Sequence, residues 1–188
     1  MRNLALIGKA RSGKDSAAAH LVATQAYTRL AFADALKTMA MGINPIVAYG
    51  QQSGAYYEQR LSDVVRSVGW EAAKDNYPEV RRFLQHVGQG VRERQPNYWL
   101  SIVTRQIQSA KLWNMPVVVT DVRYENEARA LKANGFKLIR LTRGPQVVPT
   151  GAAGHISETE LDGFPVDQEI ANNGSLDALY ALISAAAE

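Results

Sequence analysis

Residues 4–16 read Leu4-Ala5-Leu6-Ile7-Gly8-Lys9-Ala10-Arg11-Ser12-Gly13-Lys14-Asp15-Ser16. A short apolar run meets a loop bracketed by glycines, and the loop opens an alanine-rich helix. The order builds an anion seat from backbone. The run 4–7 predicts a buried strand. Gly8 and Gly13 allow φ values that a Cβ would penalise. Successive amides from Ala10 through Arg11, Ser12, Gly13, Lys14, Asp15 and Ser16 then turn inward at the positive end of the following helix. Lys14 adds a full charge aimed at outer phosphates.

The spacing Gly8-x4-Gly13-Lys14 matches the nucleotide-binding loop, but the next position departs from it. The common form carries Ser or Thr after the lysine, as a Mg²⁺ ligand. Here Asp15 stands there and Ser16 follows. Two readings stay open: Asp15 holds a metal-bound water, or Ser16 takes the hydroxyl role one residue later. A Gly-Lys-x-hydroxyl pattern leans toward small-molecule kinases rather than GTPases or motors.

A length of 188 residues suits a single domain over 1–188, with a small lid and a sizeable core. The 46% hydrophobic and 21% charged composition is that of a soluble globule. The net charge of +3 suits an anionic ligand but does not argue for stable nucleic-acid binding. Cysteine is absent, which removes disulfides and thiolate metal sites and suits a reducing compartment. The N-terminal apolar run is too short for a signal peptide or a membrane span. The expectation is a cytoplasmic protein (host cytoplasm if phage-encoded) without a membrane partner.

Periodicity predicts helices over 16–26 and 34–42, with a short strand at 28–31 between them. Residues 42–57, with Pro45, Gln51-Gln52 and Gly54, read as irregular or broken helix. Helices follow over 58–68, from Pro78 onward, and over 98–111; the stretch 42–112 reads as a helical acceptor-binding region. On the helix opened by Pro78, Arg81, Gln85, Gly88 and Arg92 share one face, and Gly88 leaves a notch on it. Val117-Val118-Val119-Thr120 reads as a buried parallel strand with Asp121-Val122-Arg123 at its end. A helix over 124–134, a strand over 136–142, a mobile lid-like segment over 143–157, a strand over 168–171 and a helix capped by Ser175 complete the chain. Alternating strands and helices imply an α/β fold of three layers, a parallel sheet between helices, with ligands at the strand C-termini. Gly8, Asp34, Asp121 and Arg143 fall at or just after such ends. Tyr49, Tyr56 and Tyr57 have no evident core slot and admit a homodimer surface.

These parts suit phosphoryl transfer, where donor and acceptor must be held in line and their charge offset. Lys14 and the loop amides address a donor triphosphate. Arg123, Arg92 and Arg82 or Arg81 can fork onto an acceptor phosphate. Asp121 can hold Mg²⁺ through water, and Asp34 is a second carboxylate near the loop. Arg140 and Arg143 stand where they could close over the transferring group. A surface ion pair for Asp121 and Arg123, a solvated face for the arginine stripe and a core role for Trp99 are the structural alternatives. His155 has no second histidine at ligand spacing, which argues against zinc.

The residues resemble the bacteriophage deoxynucleoside monophosphate kinases, in order along nearly the whole chain. The loop Gly8-Lys-Ala-Arg-Ser-Gly-Lys-Asp-Ser16 is similar to that family's version, in which Asp15 is expected. Further matching segments are Phe32-Ala-Asp-Ala-Leu-Lys37, Arg82 to Arg92 followed by Trp99, Val119-Thr-Asp-Val-Arg-Tyr-Glu-Asn-Glu-Ala128, His155-Ile-Ser-Glu158 and Asn172-Asn-Gly-Ser175. The resemblance implies a P-loop kinase fold and transfer of the ATP γ-phosphate to a deoxynucleoside monophosphate, with Mg²⁺. It implies Lys14, Asp121, Arg123 and Arg143 as catalytic residues. Arg140, Asn173 and Gly174 join residues 10–16 at the ATP side, and Asp15, Ser16 and Asp121 serve the metal. It further implies Asp34, Lys37, Arg82, Gln85, Gly88, Arg92, Trp99, Arg123, Glu125 and Glu158 at the acceptor. The alternatives are a phosphomevalonate-kinase-like enzyme acting on a non-nucleotide phosphate, and a nucleotide-binding module without catalysis.

Overall fold

Strand β1 (Leu4–Ile7) is buried at every position and sits in the middle of a five-stranded parallel sheet. The computed structural model describes residues 2–144 and 159–188, so His155, Glu158 and most of the lid-like segment lie outside the described residues. Chain order is β1, α1 (Lys14–Gln25), β2 (Thr28–Leu30), α2 (Phe32–Ile43), β3 (Ile46–Gln52), β4 (Ala55–Arg60), α3 (Leu61–Asn76), α4 (Pro78–Arg94) and α5 (Tyr98–Leu112). It continues with β5 (Val117–Val122), α6 (Glu125–Ala133), β6 (Lys137–Thr142), β7 (Gln168–Ala171) and α7 (Leu176–Ala187). Two compact units result: Met1–Phe32 with Leu100–Glu188, and Ala33–Trp99.

The first unit holds the sheet, in the order β2-β5-β1-β6-β7. Leu4 pairs with Val118 on one side and Lys137 on the other, and Leu30 faces Val119. A strand buried on both faces must be apolar at successive residues, which is why these strands read as runs rather than alternations. Leu4, Leu6, Val118, Ile139, Leu141 and Ile170 pack with Ala17, Ala18 and Leu21 of α1 and Leu179 and Ile183 of α7. The intervening residues Ala5, Val117, Val119 and Leu138 are buried on the opposite face, on the side of α6. The result is the three-layer α/β architecture expected for a P-loop kinase fold.

Strand β5 is longer than its apolar run suggests. Its register with β1 slips between Ala5↔Val119 and Ile7↔Val122, so the strand carries Thr120, Asp121 and Val122 across a bulge. Such bulges re-aim side chains beside functional sites. Asp121 therefore lies within the strand's last turn of pairing, not after it.

The second unit corrects the reading of residues 42–57 as irregular or helical. They form an antiparallel hairpin, β3 with β4, turning at Ser53-Gly54 with φ of 51° and 84°. Two left-handed residues match the twist of paired strands. The same pairing consumes Glu58–Arg60, so α3 begins at Leu61 rather than at Glu58. Gly69, at φ 77°, kinks α3. Leu61, Val64, Val80, Leu84 and Val47 make this unit's core.

Candidate functional site

The first unit gathers its charges at the C-terminal edge of the sheet. Gly8 has φ 152°, Arg11 φ 61° and Gly13 φ 102°, so the loop between β1 and α1 turns through the left-handed region at three points. A Cβ on Gly8 would strike the Leu141 carbonyl oxygen, and one on Gly13 would strike the Asn172 amide nitrogen. Both glycines are thus required by close approach as well as by backbone angle.

Lys14 is buried, and its Nζ donates to the carbonyls of Gly8 (2.8 Å) and Lys9 (2.7 Å) and to Ser12 Oγ (3.3 Å). The ammonium is held across the mouth of its own loop. Helix α1 takes no side-chain cap at Gly13, so its first-turn amides open onto that mouth. The other helices that follow sheet strands differ. Asp121 Oδ1 accepts the Phe32 amide at 2.8 Å and closes the start of α2. Glu127, buried, accepts the amides of Arg123 (3.0 Å) and Tyr124 (3.2 Å), and Glu160 accepts that of Glu125 (2.8 Å). Carboxylates already fill the start of α6, and Ser175 caps α7. Among the described helices of this sheet edge, α1 alone presents its positive end without a side-chain cap.

Beside the loop lies a cavity of about 530 Å³ with an apolar floor of Ile7, Val122, Leu141 and Leu161. Lys9, Arg123, Arg140 and Arg143 bring four cations to its wall, against Asp162 and Glu169. The arginines differ in what they touch. Arg140 donates to Glu169 (3.1 Å) and to the carbonyls of Leu161 (2.8 Å) and Phe164 (2.6 Å), fixing the turn at 159–164 against the sheet. Arg143 is exposed at the cavity rim. Lys9 pairs with Asp162 on the same turn. Asp15 is exposed in the first turn of α1, and Ser16 is half-buried beside it. Next to Asp121, the Thr120 hydroxyl is buried with no hydrogen-bond partner.

The remaining candidates fall in two places. Glu125, in the first unit, pairs with Arg129 at 2.8 Å. The others stand in the second unit. Lys37 lies 4.0 Å from Asp34 and 5.6 Å from the Trp70 ring centroid. Arg82 is exposed and pairs with Glu79 at 2.9 Å. Gln85 and Arg92 are half-buried on α4. The close approach signalled by Gly88 is internal: Leu36 Cδ2 would lie 3.2 Å from a Cβ there. Trp99 is 3% exposed and donates its indole N–H to the Gly88 carbonyl at 3.2 Å, so its ring is a core element of this unit.

The sequence assigns no role to Lys9, Asp162, Glu127 or Glu160, although Lys9 and Glu127 stand inside quoted motifs. Asn172, which the resemblance places with Asn173 to Ser175 near the donor base, holds the Ser12 carbonyl. The roles of Asp162 and Glu160 depend on pairing between distant segments, and nothing local marks them, whereas Glu127 caps amides only three and four residues before it.

Residues 47–183 match the family profile described as deoxynucleotide monophosphate kinase. The chain belongs to that family. The match covers well over half of the chain and includes β5, β6, β7 and all of α4, while the glycine-bounded loop between β1 and α1 lies before it. Two proteins of Ictalurid herpesvirus 1 (strain Auburn) are also similar. Uncharacterized protein ORF77 is 29% identical over 109 residues, 57% of this chain and 47% of its own length. Uncharacterized protein ORF76 is 30% identical over 106 residues, 55% of this chain and 44% of its own. The matched part thus spans less than half the length of these curated relatives. Among the described residues no helix is long and apolar enough to cross a membrane.

Proposed function

We propose that the protein is a deoxynucleoside monophosphate kinase, transferring the γ-phosphate of ATP to a dNMP to give dNDP and ADP. The observation that carries this reading is the α1 loop. Its glycine-bounded turn holds the Lys14 ammonium on the carbonyls of Gly8 and Lys9, and those two residues in turn line the cavity that Arg123, Arg140 and Arg143 also line. Membership of the family supplies the substrate class.

In this mechanism residues 10–16 seat the donor phosphates. Lys14 exchanges its loop carbonyls for phosphate oxygens, and Arg123 and Arg143 neutralise the charge that shifts during transfer. Arg140 holds the cavity wall, and Asn173 and Gly174 border the donor side. Asp34, Lys37, Gln85 and Arg92 of the second unit, with the exposed Arg82, take the acceptor. The donor set is all oxygen, as Mg²⁺ prefers: the Asp121 carboxylate at the bulge, and the Asp15 carboxylate and Ser16 hydroxyl in the first turn of α1. Asp15, Ser16 and Asp121 are the residues that would hold it, and when bound the ion shields the β- and γ-phosphate oxygens from an incoming anion.

A coupled ADP-release assay with ATP, Mg²⁺ and each deoxynucleoside monophosphate tests the reading. Turnover with at least one is expected. Inertness with all of them, in protein that is folded, ends it.

A further inference from the structure

We propose that Asn172 and Asn173, consecutive at the end of β7, are positioning residues that set the two sides of the phosphate site, Asn172 the loop and Asn173 the Arg143 turn. The inference rests on the kinase reading above and deepens it.

Successive residues of an extended strand point to opposite faces. β7 ends at Ala171, and the ladder with β6 continues one step further, through the Asn172 amide to the Thr142 carbonyl at 2.7 Å. The next two side chains therefore diverge. Asn172 is buried, and its Nδ2 donates to the Ser12 carbonyl at 3.0 Å. In a trans peptide the carbonyl and the following N–H point in opposite directions. Anchoring the Ser12 oxygen on Asn172 thus turns the Gly13 N–H away from β7 and toward the loop interior, where phosphate oxygens need it. The packing is tight enough to enforce this. A Cβ on Gly13 would collide with that same Asn172 nitrogen and would lie 3.2 Å from Leu179 Cδ2. Asn173 reaches the other way, and its Oδ1 accepts the Gly144 amide at 2.8 Å. Arg143, one residue earlier, lines the cavity.

The two amides are used in opposite senses. The Ser12 carbonyl needs a donor, so Asn172→Asp removes the bond at constant shape. The Gly144 amide needs an acceptor, so Asn173→Asp retains it. A general requirement for polarity at this corner would not make this distinction.

The experiment is calorimetric ATP titration of the full chain without acceptor, together with steady-state turnover and thermal unfolding of each variant. Asn172→Asp is expected to weaken ATP binding about tenfold or more, at a cost in Tm too small to account for it. Asn173→Ala is expected to lower kcat about tenfold, and Asn173→Asp, which keeps the acceptor for the Gly144 amide, to restore kcat to within about threefold of wild type. Should Asn172→Asp not fold, Asn172→Ser, which shortens the side chain without adding charge, is read by the same criterion. Asn172 variants that lose Tm yet bind ATP like wild type overturn the assignment, as does failure of Asn173→Asp to rescue Asn173→Ala. Wild-type protein that takes up no ATP overturns the kinase reading, and this inference with it.

Discussion

Lys14 shows how a single residue can be pre-placed for its task. A buried ammonium must find oxygens, and here the loop's own carbonyls supply them. Those bonds hold the charge at the loop mouth, and under the proposed kinase function phosphate oxygens, as stronger acceptors than neutral carbonyls, would displace them. Lys14→Ala should lower kcat by at least about two orders of magnitude, the scale of a lost transition-state charge clamp. A fall of less than about tenfold would reduce Lys14 to a structural brace. Arg140 and Arg143 offer a second test at this scale, because the sequence alone treats them alike. Arg140 satisfies two backbone carbonyls of the 159–164 turn, and Arg143 stands at the rim. Arg140→Ala should therefore cost about 2 kcal/mol or more in urea unfolding, since it strands buried acceptors. Arg143→Ala should leave stability within about 0.5 kcal/mol and lower turnover about tenfold or more. If the two phenotypes exchange, so must the two roles.

At the scale of elements, the hairpin is where sequence reading failed and where its failure can be explained. Elements buried on both faces announced themselves as apolar runs, and Leu4–Ile7 and the valines of β5 needed no tertiary context. Strand β4 is largely exposed, β3 is mostly half-buried around a buried Val47, and both lack an apolar alternation; Tyr49, Tyr56 and Tyr57 are 68%, 76% and 47% exposed. What marked them was turn chemistry. Ser53-Gly54 between β-forming residues is a two-residue hairpin signal, masked by Pro45 and the glutamines, which make the stretch read as irregular or broken helix. Gly50 also carries meaning, since the Tyr57 ring lies where its Cβ would be, a cross-strand cover for a bare backbone. The turn sets the register, so Gly54→Ala, at φ 84°, should cost about 1–2 kcal/mol locally. Hydrogen exchange should register it as lost protection between residues 46 and 60, with the sheet of the first unit unchanged. Uniform loss across the chain, or none anywhere, would mean that the hairpin does not open as its own unit.

For the molecule as a whole, the sequence disclosed the backbone half of the site and not its bracing. The loop Gly8 to Ser16 is built from consecutive residues, so its turns could be read directly. The Lys9–Asp162 pair, the Glu160 cap and the Asn172 anchor join positions far apart, and only the folded chain brings them together. Asp167 is a bracing residue of the same kind, at the opposite end of β6 from the cavity. Its carboxylate accepts the Leu138 amide at 2.8 Å and pairs with Lys132 of α6 at 3.2 Å. The Leu138 bond first, and Lys132 after it, hold this carboxyl below its ordinary value of 3.8. Protonation is therefore harder in the folded than in the unfolded chain, and the stability that Asp167 contributes is fully present above that ordinary value. It fades as pH falls through the lower folded value. Asp167→Asn should have a lower Tm than wild type at neutral pH, because the amide cannot replace the charge facing Lys132. The gap should persist down to about pH 4 and close below it, as the wild-type carboxylate takes up its proton. Thermal unfolding of both proteins from about pH 7 to about pH 2 measures this directly. Curves that run parallel over the whole range would show that ionisation of Asp167 adds nothing to the stability of the sheet.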